Sequence, residues 1–164
     1  MNILAQIGFI GPLILLVLII VFSLKENIPK LLSISPELYI IIIILWQIAN
    51  YILNISLKLI IKEKRPSSSK SINVIDSIKD ANDYGMPSGH AQSMFSQLTF
   101  IILMLKNKVL IFISILQTIL TVLQRYKYKK HTLKQLIVGG LIGITTGYLI
   151  TYILGIIRNK DLYN

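Results

Sequence analysis

Five stretches of this chain are too long and too apolar for the strands or surface helices of a water-soluble domain: residues 3–24, 38–61, 88–105, 109–123 and 133–157. A helix of about 20 apolar residues matches the hydrocarbon thickness of a bilayer. Within lipid every backbone N–H and C=O must find its partner inside the protein, so such segments can only be helical or part of a closed barrel, and runs of this length select the helix. The expected fold is therefore all-α, an integral membrane helical bundle of about five transmembrane helices, with residues 1–164 forming a single domain. Pro12 is expected to kink the first span. Residues 1–8 carry no Lys or Arg and no small-residue cleavage site follows, so that span reads as retained rather than as a signal peptide. There is no cysteine, which excludes a disulfide framework, a Cys-ligated zinc and a thiol nucleophile.

The formal net charge is +10. In a soluble chain that would suggest nucleic acid; between membrane spans it suggests loops meeting lipid headgroups, and no nucleic-acid partner is expected. Residues 106–108 make a tight hairpin. Residues 62–86 form the sizeable loop, rich in Ser and Lys, with a short surface helix expected around residues 74–80. Span counting then fixes geometry. The second helix ends, the third begins, the fourth ends and the fifth begins at one face of the membrane. Lys58 with Arg65, then Pro87-Ser88-Gly89-His90, then Arg125 with His131 all belong to that face.

Two polar stripes point into the bundle. Gln47, Asn50, Asn54 and Lys58 recur at steps of three and four along the second helix, and seven further residues reach Arg65. Lys58 and Arg65 are therefore expected on one face about two turns apart, roughly 10 Å. Gln47 and Asn50 read as interhelical glue. On the fifth helix His131, Gln135, Gly139, Gly143, Gly147, Thr151 and Gly155 follow at steps of four. The glycines read as a packing ridge, which turns His131 and Gln135 inward. Tyr126, Lys127, Tyr128, Lys129 and Lys130 read as interfacial anchors.

Cations with two imidazoles and few acids suit a phosphate. Lys58, Arg65 and Arg125 can cradle nonbridging oxygens. Ser88-Gly89-His90 opens the third helix, where free N–H groups and the helix dipole favour an anion; Gly89 allows close approach and Ser88 adds a hydroxyl. Of the two imidazoles, one can attack phosphorus and the other can protonate the leaving oxygen and later activate water. Gln135, one turn after His131, can accept a hydrogen bond from its ring N–H, which orients the ring without adding negative charge.

Lys58-x6-Arg65-Pro66, Pro87-Ser88-Gly89-His90 and Arg125-x5-His131, in that order on membrane helices, resemble the three-part signature of the type 2 phosphatidic acid phosphatase (PAP2) superfamily, over roughly residues 57–143. Two positions depart from it. Gln124 stands where a Ser is usual, and Gln135 stands where an Asp is usual four residues after the third-motif His. The dolichyl diphosphate phosphatase branch also shows His-Thr-x-x-Gln and Tyr-Gly-Met-Pro-Ser, matched here by His131 to Gln135 and by Tyr84 to Ser88. The resemblance implies His131 as nucleophile, His90 as general acid and base, and Gln135 as the residue orienting His131. It also implies Lys58, Arg65, Ser88, Gly89 and Arg125 as phosphate ligands, with no metal and no cofactor. The implied reaction is that of an acid-anhydride hydrolase: a polyprenyl (dolichyl) diphosphate is cut to the monophosphate and phosphate through a phosphohistidine.

The alternatives are a broader lipid phosphatase acting on phosphatidate or undecaprenyl diphosphate, and an inactive membrane protein that binds lipid phosphates. A channel or scaffold is disfavoured, because the polar stripes stop at one face. Most of the 17 Lys and Arg lie on the motif-bearing face, which by the positive-inside rule would be cytoplasmic. Three of them are candidate phosphate ligands, which blunts that count. The resemblance implies the endoplasmic reticulum or a related endomembrane, with a lumenal site.

Overall fold

A computed structural model describes residues 3–71 and 84–160. The expected surface helix around residues 74–80 lies outside the described residues. The described elements are helical: α1 (Ile3–Phe9), α2 (Gly11–Lys25), α3 (Ile28–Leu31), α4 (Pro36–Ile61), α5 (Gly89–Phe100) with a π-helical continuation (Ile101–Leu105), α6 (Lys108–Lys127) and α7 (Leu133–Lys160). Among the described residues, three helical segments are long and apolar enough to cross a membrane, Pro36–Ile61, Lys108–Lys127 and Leu133–Ile156, and Gly11–Lys25 is a shorter apolar helix.

Local chemistry sets the ends. Ser35 caps α4 by accepting from Leu38 N at 3.2 Å, with Pro36 in the first turn. Asn107 caps α6 through Leu110 N at 3.0 Å, and its amide also donates to Glu26 Oε1 at 2.9 Å. The first expected span is broken rather than kinked. Pro12 has no N–H to continue the ladder, and Leu13 N–H turns back to Ile10 O at 2.9 Å, so α1 ends at Phe9.

The helix carrying Lys58 also ends earlier than its polar stripe suggests. Lys62 takes a left-handed φ of 52°, and α4 stops at Ile61. Arg65 precedes Pro66, a position that disfavours helical backbone. It is delivered by an extended stretch in which Lys64 bridges Tyr84 antiparallel, not by a further turn of helix.

α7 lies tightly along α5. Added Cβ atoms at Gly139, Gly143 and Gly147 would meet the backbone of Ser88, Gln92 and Ser96 in turn. Gly155 does not share the contact; nothing lies within 4 Å of its would-be Cβ. The reason is geometric: each four-residue step overshoots a full turn by about 40°, so the ridge rotates away from its neighbour.

The interior divides along the bundle axis. Away from the motif-bearing end, Ile19, Leu32, Tyr39, Ile43, Phe100, Ile101, Leu105, Leu110 and Leu154 form an apolar core, with Trp46 against Phe100 at 5.2 Å. Toward that end the buried contacts become polar. Gln92 Nε2 donates to Asn50 O (2.9 Å) and Oδ1 (2.8 Å), Asn54 Nδ2 donates to Gln92 Oε1 (2.8 Å), and Gln97 Nε2 donates to Gln47 Oε1 (3.1 Å). The amides of α4 therefore join helices, as their spacing suggested. The outer surface is apolar, as a lipid-facing surface must be, with Leu13, Ile60, Phe112 and Leu141 among its exposed side chains.

Candidate active site

The α4 end, the α5 start, the α6 end and the α7 start meet at one end of the bundle. Ser88 caps α5, its Oγ lying 3.5 Å from Ala91 N, so the helix proper begins at Gly89. Asn54 reaches over from α4. Its amide donates to Pro87 O at 3.3 Å, and its Oδ1 is 3.0 Å from where a Cβ on Gly89 would be. Behind the turn, Ser88 N donates to Gln135 O at 3.1 Å, which ties the α5 start to the α7 start.

His131 lies buried just before α7. Its Nδ1 is 2.9 Å from Gly85 O and 3.3 Å from Gln135 Oε1. The Gln135 amide has a determined orientation. Oε1 faces Thr132 N–H (3.2 Å), which can only donate, and Nε2 faces Lys64 O (2.9 Å), which can only accept. Both neighbours of His131 Nδ1 are therefore acceptors. The neutral ring carries its proton on Nδ1 and its lone pair on Nε2.

Burial, and then the positive charges of Arg65, Lys58 and Arg125, hold the His131 imidazole well below the usual His range; the Gln135 hydrogen bond opposes this only in part. A neutral imidazole with three cations close enough to act on it is suited to meeting an anion. The described residues bring no group of three His, Cys, Asp or Glu together.

Arg125 is buried at the α6 end, its guanidinium 5.1 Å from the centre of the Phe9 ring. His90, half-buried on α5, stands 5.5 Å from the same ring and donates from Nε2 to Phe9 O at 3.0 Å. Phe9 thus joins the two cationic or imidazole side chains of different helices. Nothing local in the sequence marked it.

Three further positions were missed or misread. The Gly85 carbonyl lies nearer to His131 than Gln135 does. Glu63 binds the Gln135 amide, Oε1 to Nε2 at 3.0 Å, and pairs with Lys134 at 2.8 Å. Lys130 is not an interfacial anchor: it is fully buried, and its ammonium donates to Ser71 Oγ at 3.1 Å. Gln124, in the place of the usual Ser, is also buried, against Gly8 of α1.

With this geometry in place, comparison with known proteins is decisive at the family level. The PAP2 superfamily model matches residues 38–158. The chain belongs to the PAP2 superfamily. It is also similar to the dolichyldiphosphatase of Saccharomyces cerevisiae, 36% identical over 141 residues, which cover 80% of this chain and 58% of that relative. The chain thus spans less than two thirds of the relative's length. No solved structure matches it significantly.

Proposed function

We propose that this PAP2 protein is a membrane lipid phosphatase that hydrolyses a polyprenyl diphosphate of the dolichyl type to the monophosphate and phosphate. The observation that carries the reading is the setting of His131: a buried imidazole whose Nδ1–H donates toward the acceptors Gly85 O and Gln135 Oε1, which leaves the lone pair on Nε2, with the charges of Arg65, Lys58 and Arg125 acting on the ring. Similarity to a dolichyldiphosphatase supports the choice of lipid.

In the proposed reaction Lys58, Arg65 and Arg125 compensate the charge of the terminal phosphate, with Ser88 and Gly89 at the α5 start contributing donors and room for close approach. His131 Nε2 attacks the terminal phosphorus. The P–N bond forms as the bond from phosphorus to the bridging oxygen breaks, and His90 gives that oxygen a proton. With Nε2–H engaged by Phe9 O, Nδ1 is the position from which His90 delivers it. His90 then takes a proton from water, the water oxygen attacks phosphorus, the P–N bond breaks, and phosphate leaves. Gln135 and Gly85 hold the nucleophile throughout. The isoprenoid tail stays in lipid while the headgroup enters from the boundary. By the same analogy the site faces the lumen of the endoplasmic reticulum.

The test is phosphate release by purified protein in detergent from dolichyl diphosphate, undecaprenyl diphosphate and phosphatidate, with His131→Ala beside it. The expected result is fastest release from dolichyl diphosphate, a phosphoenzyme trapped by acid quench, and loss of both in His131→Ala. Equal release from all three lipids would replace the substrate assignment with a broad one. No release from any would leave a lipid-phosphate-binding protein.

A further inference from the structure

Most PAP2 proteins supply negative charge behind the third-motif His with an acid, and here that position holds the neutral amide of Gln135. The charge is nevertheless close by. We infer that Glu63 is a positioning residue for the His131 nucleophile, acting through Gln135 as a two-step relay in which the amide carries the influence of a carboxylate to the imidazole. This rests on the proposed reaction at His131.

Two routes run from Glu63 to the same ring proton. Through side chains, Glu63 Oε1 accepts from Gln135 Nε2 at 3.0 Å, and Gln135 Oε1 lies 3.3 Å from His131 Nδ1. Through the backbone, Glu63 O accepts from Gly85 N at 2.7 Å, and Gly85 O accepts from His131 Nδ1 at 2.9 Å. Glu63, two residues before Arg65, thus sets the partners of a ring nearly 70 positions away.

The chemistry favours this order of groups. Attack by Nε2 places positive charge on the imidazole, and the Nδ1–H becomes a stronger donor. An amide whose N–H faces a carboxylate carries more electron density on its oxygen, and chains of such bonds reinforce one another. An acid at position 135 would not work in this setting. Its second oxygen would confront the Glu63 carboxylate and the Lys64 carbonyl, both acceptors, where the amide presents a donor. Gln135 therefore reads as the substitution that Glu63 requires, with the charge moved one hydrogen bond further out. Lys134 is the other charged group on Glu63, and together with the Gln135 amide it holds that carboxyl below the usual range.

A purely structural role would use the same contacts, with the Glu63–Lys134 ion pair acting only as a staple between the segment after α4 and α7. The experiment separates the two. kcat and KM for phosphate release from dolichyl diphosphate are measured for wild type, Glu63→Gln, Gln135→Ala, the double variant, Lys134→Met and His131→Ala, each checked for folding by a thermal melt. Glu63→Gln keeps an acceptor for the amide but removes the charge. It should lower kcat by about tenfold or more with KM within about twofold, because Glu63 does not touch the lipid. In the Gln135→Ala background the same change should cost almost nothing, since the relay is already cut. Lys134→Met should match or exceed wild type.

A kcat unchanged by Glu63→Gln, an equal loss in both backgrounds, or a Lys134→Met loss as large as that of Glu63→Gln would overturn the relay and leave the His131 mechanism standing. Full turnover in His131→Ala would remove both.

Discussion

The close approach of α7 to α5 makes a prediction with an internal control. Gly143→Ala and Gly155→Ala are the same chemical change on one helix. At Gly143 the new methyl would clash with Gln92 O and stand 3.0 Å from Gln92 C and Ser96 N, all helix backbone that cannot swing aside. The helices must separate. Overpacking of this kind costs about 1–3 kcal/mol. Separation also stretches the 2.9 Å Ser96–Thr146 hydrogen bond, worth about 1 kcal/mol. Against this, replacing Gly by Ala inside a helix returns about 0.5–1 kcal/mol. The net expectation is a loss of about 1–3 kcal/mol. At Gly155 only the helix term operates, so the variant should gain about 0.5–1 kcal/mol. Trp46 is the sole tryptophan, buried against Phe100, and its fluorescence reports a thermal or denaturant transition in detergent. Gly143→Ala should melt below wild type and Gly155→Ala at or above it. Equal losses at both positions, or no loss at Gly143, would refute the claim that the ridge is held by backbone contact.

Two further outcomes follow from the site. Asn54→Leu strands Gln92 Oε1 and Pro87 O without their donor; each buried unmet acceptor costs about 1–3 kcal/mol, and the loosened turn should lower phosphate release without preventing assembly of the bundle, read by the same melt and by turnover. The pH dependence has a definite sign: a nucleophile held well below the His value of 6.5 stays neutral in mild acid, so the acid limb of kcat/KM should lie below pH 6.5 and should move up toward it in Arg65→Gln, which removes the largest of the charge contributions. An acid limb in wild type at or above 6.5 would contradict the burial and charge argument.

The sequence announced what depends on local chemistry. Apolar runs marked the helices, Ser88 opened α5 where a helix start was expected, and the one-turn spacing of His131 and Gln135 produced the expected contact. What it hid depends on partners distant in the chain. The Gln47–Asn50–Asn54 stripe was visible, but its amide partners Gln92 and Gln97 were not singled out. The stripe was extended to Arg65 by a period that the left-handed Lys62 and Pro66 had already interrupted. Lys130 looked like its exposed neighbours because composition records charge and not burial. Gly155 continued a regular spelling after the real helix had rotated out of contact. Phe9 and Glu63 were silent for the same reason: an aromatic in an apolar run and an acid in a charged loop acquire meaning only from what the fold sets against them.

The placement of Phe9 has a practical side. Its carbonyl contacts His90 and its ring faces both His90 and Arg125, so the helix α1 that carries it is a wall of the candidate site. Alterations within residues 3–9 would therefore disturb two candidate site residues at once, and a weak result from a protein altered there would report that disturbance before it reported on chemistry.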